Sequence, residues 1–360
     1  MPLLDLKVSN VRNLKQVEIS PASRINIIYG ANASGKTSLL ESIYLLSRGK
    51  SFRTHHLANI VNSESSTFSV TSRIAQGNGQ CTSLGIEHRD GRFRMKAEGT
   101  MLKRASDLAG YLPLMVIHQG CHQILSLGPK HRRRFLDWGV FHVEPTFLSV
   151  WRRYNRALKQ RNAWLQRQNT SQQHGPWDEE LEESAERLHS LREQYIQQLS
   201  SILHDYAGRL FKTETPLSID YRRGWKADES LSSALSRSYI KDKTLGYTQS
   251  GPHRADLHIN VGGKPVQELM SRGQQKLLIY AMHLAQASLY RQLARRPCII
   301  LADDANAEID AVRMGALMNL IEDLGVQAFL TMIEGYRKTG KNGVDLKMFH
   351  VEHGQVKEVI

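Results

Sequence analysis

The sequence predicts an α/β protein: a head with a mixed sheet and a phosphate loop, an antiparallel β meander beside it, and an inserted helical lobe containing a short coiled-coil hairpin. Three observations predict it. The β-branched run Ile25-Asn26-Ile27-Ile28-Tyr29 stops at a glycine loop, and apolar residues at helical spacing follow. Between Phe68 and Ala97 the apolar period becomes two, the mark of half-buried strands. From Glu144 to Leu210 it becomes three and four, the mark of packed helices.

In chain order, Leu4 to Val8 and Gln16 to Ile19 read as short strands ahead of the buried strand Ile25 to Tyr29. Leu39, Leu40, Ile43 and Leu46 then place a helix from about Thr37, with one face on the sheet. Phe68, Val70, Leu84, Ile86, Phe93 and Met95 alternate, and Asp90-Gly91 supplies a hairpin turn, so this stretch is a meander. Trp151, Tyr154, Leu158 and Leu165 form one helical stripe facing a core. Leu181, Ala185, Leu188, Tyr195, Leu199, Ile202 and Tyr206 form another. The polar join from Gln166 to Pro176 reads as an exposed tip, and the acids from Asp178 to Glu183 suit the positive end of a helix dipole. Leu217, Ile219 and Tyr221 read as a strand, a further helix follows, and alternation returns near Asp256 to Ile259. The chain ends with an apolar strand, Cys298 to Ala302, and a hairpin from Met348 to Val356. This organisation divides the chain into a discontinuous head, 1–125 with 246–360, and a helical, basic lobe, 126–245.

Composition narrows the partners. The 360 residues, 41% of them apolar, suffice for a real core, and the net charge of +13 favours polyanions, nucleic acid before anionic membrane. No run approaches about eighteen apolar residues and the amino terminus has no leader pattern, which points to a cytoplasmic protein with no membrane partner. Cys81, Cys121 and Cys298 are far apart and form no CxxC pair, so they read as reduced, mostly buried thiols.

The chemistry lies in three motifs. Gly30-Ala31-Asn32-Ala33-Ser34-Gly35-Lys36-Thr37, followed by Ser38, fits GxxxxGK[ST] between a strand and a helix. Its backbone N–H groups can turn inward around phosphates, Lys36 neutralises β/γ charge and Thr37 offers a hydroxyl to Mg²⁺, which makes ATP and Mg²⁺ the expected cofactors. Ile299 to Ala302 ends in Asp303-Asp304: Asp303 would hold Mg²⁺ and Asp304 would polarise the attacking water. Ser271-Arg272-Gly273-Gln274 opens the helix-like stretch Leu277 to Leu289 and resembles the signature of ATP-binding-cassette proteins. There a serine, a glycine backbone and a helix N-terminus cap the γ-phosphate held by the other subunit. In the same superfamily Ala307, Glu308 and Asp310 would lie in the loop that crosses between the two ATP sites, and Gln119 would sense Mg²⁺ and the γ-phosphate. The expected fold class is therefore an α/β ABC-ATPase-like head with an inserted helical lobe. The superfamily's switch histidine is not evident after Ala328 to Thr331, which predicts slow hydrolysis.

At this point the chain resembles a specific family, the bacterial DNA replication and repair proteins called RecF. The resemblance is carried by Arg12-Asn13-Leu14, Gly30 to Ser38, Gly49 to Thr54, Gly128-Pro129-Lys130-His131-Arg132-Arg133-Arg134 through Asp137, Gly251-Pro252-His253-Arg254, Ser271 to Gln274, and Phe349 to Gly354. It implies a homodimer closed by ATP that binds duplex and gapped DNA, hydrolyses ATP slowly under DNA stimulation, associates with the nucleoid, and assists RecA loading with RecR and RecO. Three positions depart from the family pattern: Gln119-Gly120 replaces Pro-Glu, Ala255 stands where an acid is expected, and Ala302 is smaller than the usual aliphatic residue.

A basic stretch from Arg132 to Arg167 offers candidate DNA contacts at Arg132, Arg152, Arg156 and Lys159, although a charge run also serves as a plain solvated face. An ABC-type subunit of another assembly is the rival reading. A transporter ATPase needs a membrane partner, and an SMC/Rad50-like clamp needs a longer coiled coil.

Overall fold

Strand Ile25–Tyr29 lies between strands drawn from the far end of the chain. The computed structural model describes residues 2–76, 79–167, 175, 177–211, 217–335 and 345–359. The chain divides into two units, Met1–Cys121 with Lys276–Ile360, and His122–Gln275. Among the described residues no helix is long and apolar enough to cross a membrane.

In the first unit, the head, the main sheet runs Gln355–Glu358, Leu346–Glu352, Ile25–Tyr29, Ala328–Met332, Ile299–Ala302, Leu114–Ile117. All neighbours are parallel except the C-terminal hairpin. Strands covered on both faces should be apolar throughout, and Ile299–Ala302 and Ala328–Met332 are buried at every residue. The second sheet is the expected meander, wholly antiparallel, in the order Leu14–Ile19, Leu6–Val11, Phe68–Ala75, Cys81–Arg89, Arg92–Ala97, Thr100–Met101. Helix Lys36–Arg48 serves both sheets. Its Leu39, Leu40, Ile43 and Leu46 share one core with Val8, Val70 and Ile86 of the meander and with Ile28, Leu301 and Phe329 of the main sheet. Each such side chain contributes roughly 1.5–3 kcal/mol of burial, enough to fix the helix start, and with it the phosphate loop, against the strand ends.

The second unit contains helices Pro129–Val143, Phe147–Leu165, Asp178–Leu210 and Leu231–Leu245, and a three-stranded sheet in the order Lys264–Pro265, Asp256–Val261, Leu217–Arg222. The two expected helical stripes are present as Phe147–Leu165 and Asp178–Leu210, packed along one another; most of the join between them lies outside the described residues. Four readings of the sequence change. Residues 246–275, expected in the head, belong to this unit, because Asp256–Val261 pairs along its length with Leu217–Arg222. Trp151 was expected in the core and is exposed, since the buried stripe is Phe147, Val150, Tyr154, Ala157, Arg161, Trp164 and Trp151 sits at its edge. Helix Pro129–Val143 was not anticipated; proline at its first position suits a helix start, where no N–H is needed. All three cysteines are free, and Cys81 is exposed, contrary to the expectation of mostly buried thiols.

Candidate functional site

The glycine loop is braced from three sides of the head. Gly30 has φ +150°, and a Cβ there would stand 2.2 Å from the Val351 carbonyl oxygen, so the turn out of the strand admits only glycine. Asn13 donates to the Ser34 carbonyl (2.9 Å) and accepts from the Ser38 hydroxyl (3.0 Å), while the Gly354 N–H also donates to the Ser34 carbonyl (2.9 Å). Gly354 has φ +77°, and a Cβ there would meet the Asn13 carbonyl oxygen at 2.1 Å. Ala31, Asn32 and Ala33 face solvent, with Ala33 at φ +63°, and Gly35 leads into the helix. Lys36 is buried, its ammonium donating to the Gly30 and Ala31 carbonyls at 2.8 Å each. The buried Ser34 hydroxyl has no hydrogen-bond partner among the described residues.

One helical position on, the Thr37 hydroxyl donates to the Asp303 carboxylate at 3.0 Å. Asp303 is fixed by parallel pairing of Ile299–Ala302 with Leu114–Ile117, its N–H donating to the Ile117 carbonyl (2.8 Å). Thr331 joins the two aspartates, since its hydroxyl donates to Asp303 Oδ1 (2.7 Å) and accepts from the Asp304 N–H (2.8 Å). Burial pushes the Asp303 carboxyl above its ordinary value, and the neighbouring Asp304 charge adds to this; hydrogen bonds from Thr331 and Thr37 and the nearby His118 oppose it. Asp304 occupies a left-handed turn at φ +49°, and the Lys276 ammonium clamps that turn by donating to the Asp304 and Ala307 carbonyls at 2.7 Å each. Gln119 stands beside Asp304, amide to carboxylate at 3.5 Å, the outer limit of a hydrogen bond. The oxygens of Thr37 and Asp303 are hard donors suited to Mg²⁺. No group of three or more His, Cys, Asp and Glu side chains that could hold a metal exists among the described residues.

Two further motifs meet on Glu41, one turn into the same helix. The carboxylate of Glu41 is fully buried and receives Arg12 Nε and Nη2 at 3.0 Å each, Arg53 at 3.5 Å and the Ser51 hydroxyl. Arg12-Asn13-Leu14 and Gly49 to Thr54 are thus supports of the loop helix.

In the second unit, Ser271 and Gln274 form a reciprocal cap on helix Arg272–Ala294. The Ser271 N–H donates to the Gln274 side chain (2.9 Å) and the Gln274 N–H to the Ser271 hydroxyl (3.3 Å). Ser271 and Arg272 are exposed and Gly273 is half-exposed. In the head, Glu308 lies at φ +62° and Asp310 caps helix Ala311–Leu324 through the Arg313 N–H (2.9 Å). Of the candidate DNA contacts, Arg152, Arg156 and Lys159 share an exposed face of helix Phe147–Leu165. Arg132 does not: it is largely buried and grips Asp256 at 2.6 and 3.0 Å, which removes its charge from solvent. The local reason is helix Pro129–Val143, which turns Arg132 toward the strand carrying Asp256.

Comparison with known proteins shows the family. The family model described as RecF/RecN/SMC N terminal domain matches residues 2–356. The DNA replication and repair protein RecF of Pseudomonas paraeruginosa is 41% identical over 99% of this chain and 98% of its own. This chain belongs to the RecF family. Among solved structures, the recombination mediator protein RecF-ATPrS of the RecFOR pathway matches with TM-score 0.83 at 25% identity, covering 99% of this chain and 98% of that one. The RecF-ATP structure matches with TM-score 0.84 at 24% identity, covering 100% and 98%. The fold is the expected ABC-ATPase-like head with an inserted helical lobe.

The departures of this RecF-family chain now have structural meaning. Ala302 is fully buried, in register with Ile117 on one side and Leu330 on the other, so its small side chain sits inside an intact sheet. Ala255 is buried too, and the acid stands one residue later, where Asp256 meets Arg132. Sequence reasoning missed Thr331, Lys276 and Glu41. A lone threonine in an apolar strand and a lone glutamate among helical leucines were the available signals, because a polar residue at a buried position needs a partner.

Proposed function

We propose that this chain is an ATP-dependent DNA-binding protein of recombinational repair and replication-fork maintenance, using one glycine-loop site per head. The Thr37 hydroxyl, 3.0 Å from the Asp303 carboxylate at the start of the loop helix, carries this reading, because a hydroxyl and a carboxylate meeting there are the protein's share of an octahedral Mg²⁺ shell otherwise filled by phosphate and water. Thr37 and Asp303 would hold Mg²⁺, which supplies charge neutralisation at the β- and γ-phosphates. Lys36 leaves its two loop carbonyls to meet phosphate oxygens, and the unpartnered Ser34 hydroxyl finds an acceptor. Asp304 accepts a proton from the attacking water, with Gln119 as its neighbour and Lys276 fixing its backbone. With no histidine in the adjoining strand Ala328–Met332, hydrolysis is slow and serves as a release step; its stimulation by DNA is what the RecF resemblance implies.

The RecF-ATP and RecF-ATPrS relatives support ATP as the nucleotide, and their RecFOR pathway supports a pathway shared with RecO and RecR; assistance to RecA loading is what the RecF resemblance implies. Ser271, Arg272, Gly273 and Gln274 of one chain would cap the ATP held by a second chain, which makes ATP the trigger of a head-to-head homodimer. Duplex DNA near gaps is the bound polymer, recognised through its phosphates by cations such as Arg152, Arg156 and Lys159.

The direct test is calorimetry of Mg·ATP with wild type and Thr37→Val. The variant keeps Lys36 and the loop backbone, so its ATP affinity in Mg²⁺ should fall to the level that wild type shows in EDTA. Full Mg²⁺-dependent affinity in Thr37→Val would overturn the assignment.

A further inference from the structure

Many guanidinium groups of the inserted unit are neutralised within it. Arg132 grips Asp256, Arg192 grips Asp137, Arg153 reaches Glu180 and Glu183, and Arg161 reaches Asp178 and Asp242. A second set of basic side chains in the same unit gathers around a cavity. Lys130, His131, Arg133 and Arg254 line one cavity of about 600 Å³, with Gly128 and His253 completing its wall. No aspartate or glutamate lines it. Arg133 donates to the Ala255 carbonyl (2.7 Å) and Arg254 to the Gln249 side-chain oxygen (3.4 Å), both neutral acceptors. Lys130 and His131 form no ion pair among the described residues.

The fold builds this cavity from two turns that the sequence keeps far apart: Arg133 and its acceptor are separated by 122 positions. Lys130, His131 and Arg133 come from the first turns of helix Pro129–Val143, whereas His253 and Arg254 follow Gly251-Pro252. His253 locks the second wall. Its Nε2 lies 2.9 Å from the Thr248 carbonyl, which can only accept, so Nε2 carries the proton and Nδ1 accepts from the Tyr154 hydroxyl at 2.5 Å. Burial pushes this ring down to about 4, so it is a neutral strut and the charge comes from its neighbours. Those neighbours repel one another. His131 is pushed down by burial and then by Arg134, Lys130 and Arg132, so its ring is neutral at neutral pH and the cavity's charge comes from Lys130, Arg133 and Arg254; Arg133 is pushed down by burial and then by Arg192, while Asp256 and Asp137 oppose the shift. An anion in the cavity relieves that repulsion.

No Phe, Tyr or Trp lines the cavity to stack a base, and its basic side chains make charge the feature that selects a ligand. We propose that this cavity is a phosphate site, built from none of the glycine-loop residues, that takes a backbone phosphodiester of duplex DNA. This inference rests on the DNA-binding reading and adds a site to the exposed helix face already named.

The test is a salt titration of a blunt DNA duplex, with ATP, for wild type and the double variant Lys130→Gln, Arg254→Gln. Losing two phosphate contacts should lower the log–log salt slope by about 1.8, while Mg·ATP affinity by calorimetry stays at the wild-type value. Inorganic phosphate, added at constant ionic strength, should compete with DNA on wild type and lose that effect on the variant. A wild-type slope in the variant overturns the site and leaves DNA binding intact. Phosphate binding lost in the variant without any change in the DNA slope also overturns it, in favour of free phosphate as the ligand. Absence of duplex binding by wild type overturns the DNA reading itself and this site with it. Should the double variant melt early, the single charge reversal Lys130→Glu, at an exposed position, should still weaken DNA binding and flatten the slope; an unchanged slope there is equally fatal.

Discussion

At the scale of single residues, the head invests a buried charge where it needs one. Lys36 holds two carbonyls that ATP would replace with phosphate oxygens, and a charged hydrogen bond contributes roughly 1.5–3 kcal/mol. Lys36→Ala should therefore bind Mg·ATP about 10- to 100-fold more weakly in calorimetry, and equal affinity would remove the loop from the mechanism. Asp303 supports a prediction with a definite sign. Its carboxyl is raised by burial first, so the folded state without nucleotide binds that proton more readily than the unfolded chain does. The folded state is therefore penalised progressively as pH climbs from the ordinary carboxylate value through the raised one, and the penalty is complete above it. Asp303→Asn, which keeps an oxygen for Thr37 and Thr331, should raise the melting temperature of the nucleotide-free protein at neutral pH. The difference should shrink as pH falls below the ordinary carboxylate range, and a gain independent of pH would disprove the cause.

At the scale of elements, the turn after strand Ile299–Ala302 is held by Lys276 and the inserted helices by buried ion pairs. Lys276→Met removes both hydrogen bonds to the turn while leaving Lys36, Thr37 and Asp303 in place. ATP affinity should stay near wild type and turnover should fall by about 10²-fold, the scale of a misplaced catalytic group; single-turnover hydrolysis with saturating ATP measures it. Arg161 is almost fully buried and meets Asp242, whose carboxylate is fully buried, at 2.8 Å. Arg161→Met strands that carboxylate and should cost about 3–5 kcal/mol. Adding Asp242→Leu should recover much of the loss in urea melts, whereas additive losses would mean that packing and not charge dominates.

At the scale of the whole molecule, the predicted unit of function is a pair of chains. Ser271 caps its own helix through a 3.3 Å hydrogen bond, and its exposure leaves that helix start open to a second chain. Ser271→Arg should bind Mg·ATP as one chain yet fail to dimerise in sedimentation velocity with ATP. A wild-type dimer in that variant would rule out closure across the signature.

The glycine loop, the aspartate pair, the meander and both long inserted helices were legible in the sequence because each depends on local spacing: a GxxxxGK[ST] string, an apolar run ending in acids, and periods of two or 3.6. What the sequence left open depends on pairing over long distances. Strand Ile25–Tyr29 finds its neighbours at Ala328–Met332 and Leu346–Glu352, and that register puts Thr331 between Asp303 and Asp304 and Gly354 against Ser34. Residues 246–275 join the inserted unit because a backbone ladder with Leu217–Arg222 satisfies their N–H and C=O groups, a choice that no local propensity encodes. The arginines show the same division most plainly. In the sequence Arg132 and Arg133 are equal members of one basic run; in the fold one faces Asp256 and the other a cavity without acids, because a single helical step rotates a side chain by about 100° and thereby selects its neighbours.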